Sequence, residues 1–119
     1  MPTLSRIAPE IPVLNLARAV EYYRSSLGFE LKLEMPDNDY AVVERDGIAI
    51  HLFVQDAASF SPSSLHIFTS ELEELQAELE STGAEICQAI VKKPWGNRDF
   101  RVRDTSGNVL KFTEPLPED

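Results

Sequence analysis

Apolar and polar residues alternate with period two over residues 29–35, 40–45 and 48–54, and again over 64–69, 84–91, 99–103 and 109–113. That period predicts strands. Residues 7–14 carry Ile7, Ile11 and Val13 on one side and are broken by Pro9 and Pro12, which predicts a strand near a sheet edge. Two stretches switch to helical spacing. Leu16, Val20, Tyr23 and Leu27 follow an N-cap at Asn15 and stop at Gly28. Leu72, Leu75 and Leu79 follow Ser70, which with Glu73 reads as a capping box, and stop at Gly83. Asp46-Gly47 is a two-residue hairpin turn, residues 36–39 a polar turn, and Asp104 to Asn108 the turn of a last hairpin. Residues 1–6 read as an ordered arm or edge strand, and residues 115–119 as a frayed acidic tail.

The order strand, helix, three strands occurs twice. Cap and closing glycine are 13 positions apart in both halves, Asn15 to Gly28 and Ser70 to Gly83. Gly28 to Gly47 spans 19 positions and Gly83 to Gly107 spans 24; the excess holds a loop with the only tryptophan, Trp95. The chain is therefore expected to be α+β, with tandem βαβββ repeats whose curved sheets form a cleft with the helices outside. A single domain over 1–119 is expected, with modules at about 3–54 and 64–114 and a polar linker at 55–63.

Composition then narrows the chemistry. The formal net charge of −9 opposes the phosphate neutralisation that nucleic-acid binding needs, and favours cationic partners. No apolar run is long enough for a membrane span, and the N-terminus has no basic-then-apolar leader. The single cysteine, Cys87, excludes an internal disulfide and fits a reducing cytoplasm. Phosphate loops, nucleophile elbows and paired cysteines are all missing. Pro94 and Gly96 hold Trp95 on a loop or strand edge, where a flat ring can close over an apolar ligand.

The repeat resembles the vicinal-oxygen-chelate fold of glyoxalases, extradiol dioxygenases and bleomycin-resistance proteins. Ala19-Val20-Glu21-Tyr22-Tyr23 with Leu27-Gly28-Phe29 is similar to the family's first helix. Pro94-Trp95-Gly96, Arg98-Asp99-Phe100 and Asp104 to Asn108 are similar to the bleomycin-binding branch. An acid-aromatic pair of that branch is replaced by Lys32-Leu33. The resemblance places the metal ligands of the family's enzymes at Ala8, His51, Ser64 and Lys111. A methyl, a hydroxyl and an ammonium among them imply a metal-free protein with no cofactor and no assigned catalytic residue. It implies instead a cytoplasmic homodimer that sequesters an antibiotic or another planar, cationic compound in a cleft at the dimer interface. Tyr40, His51, Phe53, His66, Phe68, Trp95 and Gly96 are the expected ligand-binding residues. Arg98 is expected in a structural ion pair and Asn108 in a turn. The alternative is a metal-dependent glyoxalase- or dioxygenase-like enzyme with non-standard ligands around His51 and His66.

Overall fold

A computed structural model describes residues 1–115, so the expected acidic tail lies outside the described residues except for Pro115. The first half forms β1 (Glu10–Val13), α1 (Leu16–Ser25), β2 (Glu30–Glu34), β3 (Tyr40–Arg45) and β4 (Ile48–Val54). The second forms β5 (Ser64–Phe68), α2 (Leu72–Ser81), β6 (Glu85–Lys92), β7 (Arg98–Arg103) and β8 (Val109–Thr113). Each half makes one four-stranded mixed sheet, in the orders β1-β4-β3-β2 and β5-β8-β7-β6. The expected α+β architecture of two βαβββ units is the one observed.

Local chemistry accounts for most boundaries. Asn15 Oδ1 accepts from the Arg18 N–H at 3.0 Å and starts α1. Asp46 and Gly47 both have positive φ, at 52° and 80°, as a two-residue turn matched to strand twist demands. Two expectations fail. No capping box forms at Ser70 and Glu73, because helix α2 begins after Glu71, whose N–H is taken by Thr69 Oγ1 at 3.1 Å. The first strand is shorter than its apolar pattern, starting at Glu10 and leaving Ile7 94% exposed. The Pro9 carbonyl still accepts the His51 N–H at 3.0 Å, but Pro9 has no N–H to return, and pairing with β4 ends there.

Each helix covers one face of its own sheet. Ile11, Val13, Val43, Ile50 and Leu52 from the first half join Phe100, Val102, Leu110 and Phe112 from the second in one continuous core with Leu16, Tyr23, Leu72 and Leu79. The outermost antiparallel strands, β2 and β6, carry bulges between Leu31 and Leu33 and on both sides of Gln88.

The two halves are tied together by the turn after β7. Asp104 Oδ1 accepts the N–H groups of Ser106 (2.9 Å) and Asn108 (3.0 Å). Its Oδ2 accepts the Tyr23 hydroxyl (2.9 Å) and the Asn108 side-chain amide (3.0 Å). That amide also donates to Pro12 O at 2.7 Å, while Asn108 Oδ1 receives the Ser63 N–H at 2.7 Å. Asn108 is thus a turn residue, as expected, and also the clasp between the halves.

Burial, then the neighbouring Asp104 carboxylate, push Tyr23 well above the ordinary tyrosine value. The folded state therefore holds this phenolic proton more tightly than the unfolded chain. The stabilisation is complete below the unfolded pKa of about 10 and is lost as pH rises beyond it. Denaturant titrations from about pH 8 to 11.5 are expected to show a fall in stability above about pH 10. In Tyr23→Phe that fall is expected to be shallower; an equally steep one would assign it to other groups.

Candidate ligand-binding site

The side of each sheet turned away from its helix is uncovered by the described chain, and strand alternation places most of the expected ligand-binding residues there. On the first sheet, Tyr40 pairs with Phe53, and Val42 with His51, which in turn faces Glu10 on β1. The Tyr40 hydroxyl lies 2.9 Å from Glu10 Oε2 and 2.6 Å from His51 Nδ1, with the two rings edge to face. Desolvation, then the bond to Glu10, raise Tyr40 above its ordinary value, so the phenol keeps its proton at neutral pH. A carboxylate can only accept, so that proton goes to Glu10 and His51 Nδ1 must donate to the phenol oxygen. His51 Nε2 has no hydrogen-bond partner among the described residues and lies on the open face.

The second sheet repeats the device with different parts. Thr113 Oγ1 donates to Lys111 O at 3.0 Å and lies 3.0 Å from His66 Nδ1, so His66 also donates through Nδ1. Its ring stacks on Phe68 at 6.1 Å between centroids and 22° between planes. Phe68 is 63% exposed and Trp95 68%, so both rings lie largely in water.

Trp95 occupies the tip of the β6–β7 turn, closed by Lys93 N–H to Asn97 O (2.8 Å) and Gly96 N–H to Lys93 O (2.9 Å). Gly96 sits there at φ 112°, in the left-handed region that only glycine tolerates well. Strand β6 and strand β5 are opposite edges of the sheet. Trp95 therefore lies about 14 Å across the sheet from the Phe68 strand, by three interstrand spacings. The structure brings Tyr40, His51 and Phe53 together, and His66 with Phe68; Trp95 and Gly96 stand apart from both groups. A cavity of about 630 Å³ between the halves borders only Phe68 of that set, its walls including Phe29, Ile48, Leu75 and Phe112. Arg98 is engaged as expected: Nη1 meets Glu73 at 2.6 Å, while Nε and Nη2 meet Glu114 at 3.1 and 2.8 Å. The hydrogen bonds to Arg98 hold both carboxyls below their usual range.

The charge on the open faces is divided, although the chain as a whole is acidic. Glu10 and Glu44 lie on the first sheet, Glu44 with Lys32 at 3.8 Å, whereas Lys111, Arg101 and Arg103 outnumber Asp99 on the second. Sequence reasoning passed over Arg101. The signal was present: the turn at Asp104 to Asn108 sets the hairpin register, and counting back from it opposes Arg101 to Lys111.

The positions that the resemblance assigns to a metal do not fit one. Ala8 precedes β1, Ser64 opens β5, and His51 and Lys111 lie on β4 and β8. Of their side chains only the imidazole is a good donor, and the Lys111 ammonium repels a cation. Among the described residues no three His, Cys, Asp or Glu side chains converge. Among them, too, no helix is long and apolar enough to cross a membrane.

Comparisons with known proteins agree with the fold. The model of the Glyoxalase/Bleomycin resistance protein/Dioxygenase superfamily matches residues 3–112. The structure is similar to that of TioX from Micromonospora sp. ML1, at 25% identity and TM-score 0.81, over 94% of this chain and 99% of that one. It is similar to the bleomycin-binding protein from bleomycin-producing Streptomyces verticillus, solved with copper(II)-bleomycin, at 22% identity and TM-score 0.82, over 98% and 100%. Lactoylglutathione lyase from Agrobacterium tumefaciens gives 18% identity and TM-score 0.77, over 96% of both chains. The sequence matches no curated protein.

Proposed function

We propose a function on one premise: this chain belongs to the Glyoxalase/Bleomycin resistance protein/Dioxygenase superfamily. It binds a small planar organic molecule and holds it without transforming it, as a homodimer in which a second copy covers the open sheet faces. The observation that carries this reading is that Phe68 at the end of β5 and Trp95 in the β6–β7 turn, about 14 Å across the sheet, are both left largely exposed. Rings left in water at that level gain on stacking with a flat guest, about 1 kcal/mol per pair beyond the buried area. Two further features support it. Leu4 and Ile7 on the N-terminal arm are almost wholly exposed, which costs least when a partner covers them. His51 Nε2, on the face it shares with Tyr40 and Phe53, is open to a hydrogen bond from the ligand side. Bleomycin is the first compound to try, since it occupies structural neighbours of this chain.

Trp95 is the only indole, so its emission reports on the site directly. Titration with bleomycin, or with a smaller planar cation, is expected to change that emission saturably at one ligand per chain. Sedimentation is expected to give twice the mass of the chain. A linear, unsaturable response to every planar compound tried would overturn the binding reading, and a monomer would overturn the shared cleft. The enzyme alternative rests on the bare Nε2 atoms of His51 and His66. Metal analysis of protein purified without chelators decides it, because stoichiometric metal is incompatible with a metal-free binding protein.

A further inference from the structure

One row of the second sheet breaks a rule of strand pairing. Lys111 on β8 lies directly opposite Arg101 on β7, both on the open face, and like charges so placed destabilise a sheet. The same row continues to His66 beyond Lys111 and to Gln88 beyond Arg101. Four nitrogen-bearing side chains thus run across all four strands, about 4.8 Å apart. The charge is not cancelled locally. Lys111 makes no ion pair among the described residues, in contrast to Arg98 and Arg103 on the neighbouring strand. Arg101 reaches one carboxylate, Asp99, at a long 3.5 Å, and its Nε is buried with no hydrogen-bond partner. Asp99 itself is shared with Lys93 at 3.5 Å and with the Gln88 amide at 2.8 Å. Lys93, Arg101 and Lys111 together outweigh that single carboxylate by two charges.

A repulsive pair that serves no packing purpose is a sign that something absent from the chain completes it. The missing component must bring negative charge and several acceptor oxygens. We propose that Lys111 and Arg101, flanked by His66 and Gln88, form a subsite for an oxyanion group of the bound molecule: a carboxylate, sulfonate or phosphate. The inference rests on the proposed binding function and adds to it the chemistry of one end of the ligand. Arg101 presents the fork that suits two oxygens, while Lys111 acts as a point charge. Phe68, two residues beyond His66 on the same strand and face, supplies a ring surface beside the anion. The position where relatives of the resemblance hold a cation is thereby converted to hold an anion. On the other open face the carboxylates are already engaged, Glu10 by the Tyr40 hydroxyl at 2.9 Å and Glu44 by Lys32 at 3.8 Å, so the unmet charge lies on the second sheet.

The test uses two neutral-bodied probes of equal shape, naphthalene-2-sulfonate and naphthalene-2-sulfonamide, followed by Trp95 emission and by calorimetry. The sulfonate is expected to bind the wild-type protein roughly 10–100-fold more tightly than the amide, the range of one or two charge-assisted hydrogen bonds. In Lys111→Glu that preference is expected to vanish or invert, and in Lys111→Met, which keeps the aliphatic stem, to shrink about tenfold. Equal binding of the two probes to the wild type, or an unchanged preference in both variants, overturns the oxyanion subsite and leaves the aromatic site standing. Failure of both probes to bind, when bleomycin does bind, also overturns the subsite. Failure of all three compounds overturns the binding function and the subsite together.

Discussion

Replacing Asp104 by alanine is expected to lower the unfolding free energy by about 3–5 kcal/mol, because four donors lose their acceptor at once. Two of these, the Tyr23 hydroxyl and the Asn108 amide, are buried and cannot turn to water. The other two are the backbone N–H groups that shape the turn. Tyr23 and Asp104 are 81 positions apart, so the loss falls on the contact between the halves and not on one hairpin. For a domain of this size the midpoint should drop by roughly 10–20 °C. Asp104→Asn keeps the volume but replaces one accepting oxygen with a donor, and is expected to fall between. Denaturant unfolding followed by far-ultraviolet circular dichroism checks both. A loss below about 1 kcal/mol for the alanine variant would show that the halves hold together without this clasp.

Trp95→Ala is expected to do the reverse: remove binding and spare the fold. The indole is 68% exposed, and the turn that carries it is closed by backbone bonds that alanine retains. Its effect on stability should therefore stay within about 0.5 kcal/mol. Truncating an aromatic anchor at a binding surface commonly costs about 2 kcal/mol or more, which corresponds to about 30-fold in affinity. Calorimetric titration with bleomycin, which does not need the lost fluorophore, measures that change. Affinity within about threefold of wild type would remove Trp95 from the site, whatever else bound there.

The fold was legible where a local residue has a local reason. Asn15 caps, Asp46-Gly47 turns and Gly28 bends at φ 78° whatever surrounds them. The repeat could be read because both halves reuse those signals at matched spacings. The first strand and the second helix cap were misjudged where two local preferences competed. Pairing with β4 ended at Pro9 despite the apolar Ile7, and Thr69 Oγ1 took the Glu71 N–H, so the helix began one residue later than a cap at Ser70 requires. Asn108 was legible as a turn residue but not as a clasp, since its partners Pro12 and Ser63 come from distant sequence. At the site, alternation puts His51 and Phe53 on one face of β4 and turns His66 toward the cleft, but it carries no information about distance across a sheet. The gap between Trp95 and the β5 strand emerges only from the strand order.

The bulges in β2 and β6 bear on how identical chains meet at high concentration. Both strands end their sheets with unpaired backbone groups, the kind of border along which identical chains can stack into fibres. An extra residue at Lys32 and at Cys87 breaks the regular spacing of those groups and sharpens the local twist. At the opposite borders, β1 has only four residues, one of them Pro12, which has no N–H to offer. The borders at β1, β2 and β6 are thus too short or too irregular to template such stacking.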